Sequence, residues 1–260
     1  MQRENNVKRT LKAGGSVFGS WTITSSPMVA NVMAEAGLDF VTIDMEHGPT
    51  TFETAEAILY AIEAGGSTPM LRLGEWSEPT ILRGLEIGAQ GLLVSHISTA
   101  EQARRIVSAC KYPPEGERGL SPYIRRHGYS ETTLPEKLGD ANAEMLTGVI
   151  VEDAEGLQNL ADIAATPGLD LIYLGIYDIS LSLGVPGSLN DPRVLEIVRT
   201  AVGTIEQHGI APGAVGRDRD HVRTLVELGF RYISYLVDTA IIRDGFETAL
   251  GWYQELVAPS

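Results

Sequence analysis

The chain has 260 residues, with 34 acidic against 20 basic side chains and a net charge of −14. That balance excludes a nucleic-acid partner, which needs clustered Lys and Arg to neutralise phosphates; the pair Arg125 and Arg126 is too short a basic stretch. A composition 43% hydrophobic and 21% charged is that of a globular chain able to bury a full core, and no apolar run approaches the roughly 20 residues of a membrane span. The single cysteine, Cys110, has no partner for an internal disulfide, and the polar N-terminus lacks the apolar core of a signal peptide. A cytoplasmic location is expected.

Short apolar runs alternate with segments of helical period. Residues 17–22 read as the first strand. Ser26 and Pro27 supply an N-cap and a first-turn proline for a helix that Gly37 stops. A strand at 40–44 precedes a helix that Thr51, Glu53 and Glu56 start and Gly65 and Gly66 end. Next come a strand at 69–73, a helix from Glu78 and Pro79 to Gly88, a strand at 91–95 and a helix at 99–110. Residues 111–142, rich in Pro, Gly and Arg, break the rhythm and read as a long functional or partly disordered loop. The alternation resumes with strands at 148–152, 171–175, 212–215 and 232–237. Helices at 154–164, 191–208, 218–228 and, at the C-terminus, 239–256 follow them in turn. The strand runs are continuously apolar, as strands covered on both faces are. Eight such units predict one α/β domain over 1–260, a closed (β/α)8 barrel. An open doubly wound sheet is the alternative, but no G-x-G-x-x-G follows the first strand.

In a barrel the catalytic groups come from the C-terminal ends of strands. Those ends carry Asp44, Glu46 and His47, then Arg72, then Ser95 and His96, then Glu152 and Asp153, then Tyr177 and Asp178. Glu152 and Asp178 end neighbouring strands and would repel one another unless one were protonated or a divalent cation lay between them. Two carboxylates without Cys suit a hard ion such as Mg²⁺ or Mn²⁺; the alternative is that each caps the following helix. Asp44 beside His47 is the arrangement that fixes an imidazole tautomer and prepares a general base. Arg72 at a barrel mouth binds an anionic or keto oxygen, or pairs with Asp44 or Glu46. His96 reads as a lining residue, with a second acid/base group as the alternative, and Trp21 as ordinary core. His127, His208 and His221 read as solvated surface.

These residues resemble the HpcH/HpaI aldolase/citrate lyase family, in its branch of 4-hydroxy-2-oxoheptanedioate and 2-dehydro-3-deoxyglucarate aldolases. The blocks at 43–48 (IDMEHG) and 112–119 (YPPEGERG) carry the resemblance, with 88–94, Arg72, Glu152, Gly175, Asp178, Ser180 and 237–239 in the family's order. It implies a TIM barrel of the phosphoenolpyruvate/pyruvate type, in a homo-oligomer (trimer or hexamer) that cleaves 4-hydroxy-2-oxo acids to pyruvate and an aldehyde. It further implies that Glu152 and Asp178 hold Mg²⁺, Mn²⁺ or Co²⁺. Arg72 would contact the keto oxygen, and His47, supported by Asp44, would be the base. The backbone before Asp178, with Gly175, Tyr177 and Ser95 nearby, would meet the substrate. Glu86, from a neighbouring subunit, would assist the base. Departures from the family's pattern are Glu86 for Asp, Ser95 and His96 for Pro-Met, Ile176 for Pro and Leu236 for Gly; all bear on the acceptor. Oxaloacetate decarboxylation, coenzyme-A ester cleavage and a non-catalytic acid-binding barrel are the rival readings.

Overall fold

The computed structural model describes residues 4–258. Eight parallel strands close on themselves in chain order. They are β1 Val17–Thr22, β2 Phe40–Asp44, β3 Thr68–Leu73, β4 Gly91–Val94, β5 Leu146–Val151, β6 Leu171–Leu174, β7 Ala211–Gly216 and β8 Tyr232–Val237. The helices are α1 Asn6–Lys12, α2 Pro27–Glu35, α3 Phe52–Ala64, α4 Glu78–Glu86, α5 Ala100–Cys110 and α6 Leu134–Glu144. They continue with α7 Ala154–Gln158, α8 Leu160–Ala164, α9 Ile176–Ser182, α10 Pro192–Gln207, α11 Arg219–Glu227 and α12 Asp238–Val257. Most begin where a side chain offers an acceptor to a free N–H of the first turn. Ser26, Thr51, Ser77, Asp153, Asp191 and Asp218 each cap one helix in this way, and Thr99 with Gln102 forms a full capping box.

The two-residue period of a strand divides its apolar side chains between two cores. Val41, Ile43, Leu71, Leu92, Val149 and Ile172 pack outward against the helices. Phe40, Met70, Leu93, Ile150, Tyr173 and Tyr232 fill the barrel interior, where the Phe40 and Tyr232 rings stack at 3.9 Å. Each such side chain contributes about 1.5–3 kcal/mol by its burial. Continuing the interior rows, by two residues from Met70, Ile150 and Tyr173 and by four from Phe40, brings Arg72, Glu152, Gly175 and Asp44 to the top layer. Pairing levels them: Asp44 lies beside Arg72, and Val151 beside Leu174. Polar groups therefore collect at one end because the interior rows run out of apolar residues there.

The other end is plugged by α1, whose Val7 and Leu11 join the interior core. Asn5 ties it down through Gln90 O and Glu144 O at 2.9 and 3.0 Å. Lys8 forms a buried pair with Asp170 at 2.9 Å. No apolar periodicity in the sequence announces this plug, since seven residues are too few to show it.

Three expectations need correction. Residues 111–142 are not a bare loop: they contain most of α6 and a 3₁₀ turn at Arg125–His127. Arg125 anchors the segment by pairing with Glu63 and lying 3.7 Å over the Tyr60 ring. His127 and His221 are buried, not solvated. His127 Nε2 meets the Tyr112 hydroxyl at 3.0 Å, and burial, with Arg118 and Arg126 nearby, pushes its pKa down to about 4. His221 Nδ1 accepts the Arg217 N–H at 3.2 Å. The helix expected at 154–164 is two, broken at Asn159, whose side chain donates to Ser98 O at 2.9 Å. Among the described residues no helix is long and apolar enough to cross a membrane.

Candidate active site

At the C-terminal end of the strands lies a cavity of about 460 Å³. Asp44, His47, Arg72, Glu152, Gly175, Tyr177 and Asp178 all line it. Two expected residues do not. Ser95 is fully buried behind the wall, where its hydroxyl accepts from Arg72 Nε at 3.0 Å and donates to Glu46 at 2.6 Å. Glu86 ends α4 and lies in a separate surface depression with Phe52 and Arg83, so it does not reach this chain's own cavity. Trp21 is more than core: it lines the mouth, 5.3 Å from the Arg72 guanidinium, and its indole N–H donates to Tyr173 Oη at 3.2 Å.

Arg72 is held on all sides. Its guanidinium pairs with Glu46 and, at 3.4 Å, with Asp44. Sequence reasoning assigned Glu46 no role beyond a possible pair with Arg72, although it continues the interior parity of β2 from Asp44. Burial alone would raise the Glu46 pKa, but the Ser95 hydroxyl, Arg72 and His96 outweigh it and hold the carboxyl below its usual value. Asp44 does not bond the His47 ring as expected. Its Oδ1 accepts the main-chain N–H groups of Glu46 and His47 at 2.9 and 3.1 Å, closing the turn that carries the imidazole. The ring's Nε2 faces Arg72 Nη2 at 3.5 Å. A guanidinium only donates, so this contact favours an unprotonated Nε2.

Asp178 sits in the first turn of α9, a helix the sequence did not reveal, with Gly175 at its N-cap. Gly175 is required by space. A Cβ there would lie 2.5 Å from Glu152 Cβ and 2.9 Å from Glu152 Oε2. Burial raises the Glu152 pKa and Asp178 adds to it, against the pull of His96 and Arg72. His96 is no passive lining. It adopts a left-handed φ of 61°, and its main-chain N–H donates to Glu152 Oε1 at 3.1 Å. Its ring spans the same oxygen and Glu46 Oε1, at 2.7 Å each. One Glu152 oxygen is thereby fixed, while Oε2 faces the Gly175 side.

Residues 18–244 match the family described as HpcH/HpaI aldolase/citrate lyase. The chain belongs to that family. A 2-keto-3-deoxy-L-rhamnonate aldolase of Escherichia coli K12 is 32% identical over 250 residues, 96% of this chain and 93% of that protein. A solved HpcH/HpaI family protein of Burkholderia cenocepacia J2315 superposes with a TM-score of 0.90 at 30% identity, covering 96% of this chain and 99% of the other. The citrate synthase SbnG does so with a TM-score of 0.87 at 28% identity, over 97% and 98%. As an HpcH/HpaI protein the chain is a carbon–carbon lyase of the aldolase type. Its relatives differ in reaction, so membership does not name the substrate.

Two lysines are buried, and one has the depressed pKa that amine catalysis uses. Burial, and then Lys8, push Lys111 down to about 8. Yet Lys111 donates to Asn142 O and lies with Lys8 at the plugged end, away from the cavity. No Schiff base is therefore expected. Borohydride with pyruvate should leave the intact mass unchanged; a stable adduct on any lysine would reverse this conclusion.

Proposed function

We propose that the chain is a class II pyruvate aldolase that reversibly cleaves a 4-hydroxy-2-oxo acid to pyruvate and an aldehyde with a divalent cation. The observation that carries this is the convergence of Glu152, Asp178, Arg72 and His47 on one cavity. The donor set fits the ion. Asp178 lies close enough to disfavour the charge on Glu152, Gly175 keeps the space beside Oε2 clear, and both ligands are hard oxygens. Among the described residues no group of three or more His, Cys, Asp and Glu forms a closed cage. Two protein ligands leave positions for water and substrate, as Mg²⁺, Mn²⁺ and Co²⁺ sites of this kind require. When bound, the ion supplies Lewis acidity toward the 2-oxo acid.

The remaining steps fall to the chain's own groups. Arg72, oriented by Asp44, Glu46 and Ser95, directs its charge at the keto oxygen, where negative charge grows as the C3–C4 bond breaks. His47 takes the C4 hydroxyl proton. The bonding pair stays on C3 as the pyruvate enolate, C4 leaves as the aldehyde, and a proton returned to C3 completes pyruvate. The N–H groups at the start of α9, with Gly175 and Tyr177, face the pyruvate carboxylate, an anion that suits a helix N-terminus. His96 holds Glu152 from behind.

The same reading makes the chain a subunit of a homo-oligomer, trimer or hexamer. Helix α12 leaves Phe246 73%, Trp252 62% and Leu256 84% exposed, with only Asp238 buried, an apolar surface that a solvated helix does not carry. Glu86 lies outside its own cavity, as a group serving a neighbour's would. The ion is tested directly. Chelation should remove cleavage activity, and Mg²⁺, Mn²⁺ or Co²⁺ should restore it; full turnover by enzyme shown metal-free by elemental analysis would end the assignment.

A further inference from the structure

The cavity is chemically lopsided. Its charged groups come from β2, β3, β5 and the start of α9. The opposite side, contributed by β1, β7, β8 and the start of α12, is Trp21, Ile23, Val215, Leu236, Val237 and Ala240. The cavity far exceeds what a three-carbon acid fills, so with pyruvate on the charged side the acceptor half of the substrate lies against the apolar side. Among the described residues no cation lies there. Of those residues Arg72 is the only guanidinium lining the cavity, and Asp44, Glu46 and Ser95 already engage it. A carboxylate on the acceptor would be desolvated without a partner, with Glu152 and Asp178 repelling it.

Leu236 marks the wall further. It holds φ 47°, a left-handed conformation that is a genuine outlier for a bulky residue and one that glycine adopts freely. A strained side chain at the rim of a cavity points to a role for that side chain. We propose that the acceptor is an uncharged aliphatic aldehyde and that Leu236 is the residue that sets this choice. The inference rests on the aldolase reading above and adds the class of aldehyde.

Butanal and 4-oxobutanoate test it, since they match in length and differ in a terminal methyl against a carboxylate. With pyruvate and Mn²⁺, the aldol addition forms a bond from pyruvate C3 to the aldehyde carbon. One methyl proton is lost, and the new alkoxide gains one. Butanal should exceed 4-oxobutanoate in kcat/KM by about 100-fold or more, the scale on which a site rejects a group it leaves unpaired. Leu236→Gly should cut that ratio by about 10-fold, the usual worth of an apolar contact, and Leu236→Arg should invert it. The ratio is taken within each variant, so general damage cancels. A wild-type preference for 4-oxobutanoate, or an unchanged ratio in both variants, would overturn the proposal. Exchange of the pyruvate methyl protons in D₂O, with wild-type enzyme and Mn²⁺ but no aldehyde, separates the two levels. Exchange with the wrong acceptor preference refutes only this inference; no exchange refutes the aldolase reading, and the inference with it.

Discussion

Glu152→Ala should abolish Mn²⁺ binding and, with it, every reaction that starts at pyruvate. A hard cation held by two protein carboxylates loses half of its anionic ligands in this change, and affinity at such sites follows the number of charged oxygens. Glu152→Gln should fail in the same way, because it keeps the shape and an acceptor for the His96 N–H but not the charge. Calorimetric titration with Mn²⁺ measures the loss, and pyruvate methyl exchange confirms it. Melting curves provide the control for folding. Saturating Mn²⁺ at a hundredfold excess over Kd stabilises the wild type by about 2.7 kcal/mol, whereas both variants should melt alike with and without the ion. Retained Mn²⁺ affinity in Glu152→Ala would remove this carboxylate from the metal site.

His47→Ala should leave Mn²⁺ and pyruvate binding near normal and slow aldol cleavage by about 10²–10⁴-fold, the usual worth of one general acid or base. Asp44→Ala should behave differently, because Asp44 bonds the turn and Arg72 and does not reach the imidazole ring. It should weaken pyruvate binding as well as cleavage. Asp44→Asn, which keeps an acceptor for the Glu46 and His47 N–H groups, should recover part of the cleavage rate. The two alanine changes should be non-additive in the double variant, since the turn held by Asp44 carries His47. Single-turnover cleavage beside pyruvate calorimetry separates these outcomes. Near-normal cleavage by His47→Ala would exclude His47 as the base and make His96 the next candidate, as the imidazole in contact with Glu152.

Much of the site could be read before the fold was known. Asp44, Arg72 and Glu152 each end or follow an apolar run, and the interior parity of the strands brings them to one layer. What escaped was contact. Glu46 stood in plain view between Asp44 and His47, yet nothing in sequence spacing says that it, not Asp44, makes the close pair with Arg72. Ser95 was expected against substrate, but only the packing of β4 shows its hydroxyl turned behind the guanidinium. Helix α9 was missed because Gly175 gives no side-chain cap and seven residues show little periodicity.

The sequence by itself determined the number and order of the βα units, the starts of most helices and the rim on which polar groups gather. Those depend on short-range causes: caps, glycine stops and the two-residue alternation of strands. The tertiary structure decided the rest. It showed which carboxylate orients Arg72, that His127 and His221 are buried, that Lys111 lies at the wrong end for amine catalysis, and that one wall of the cavity is apolar around a strained Leu236. Each of these turns on which side chains meet across residues far apart in the chain, and barrel closure, not local propensity, sets those meetings.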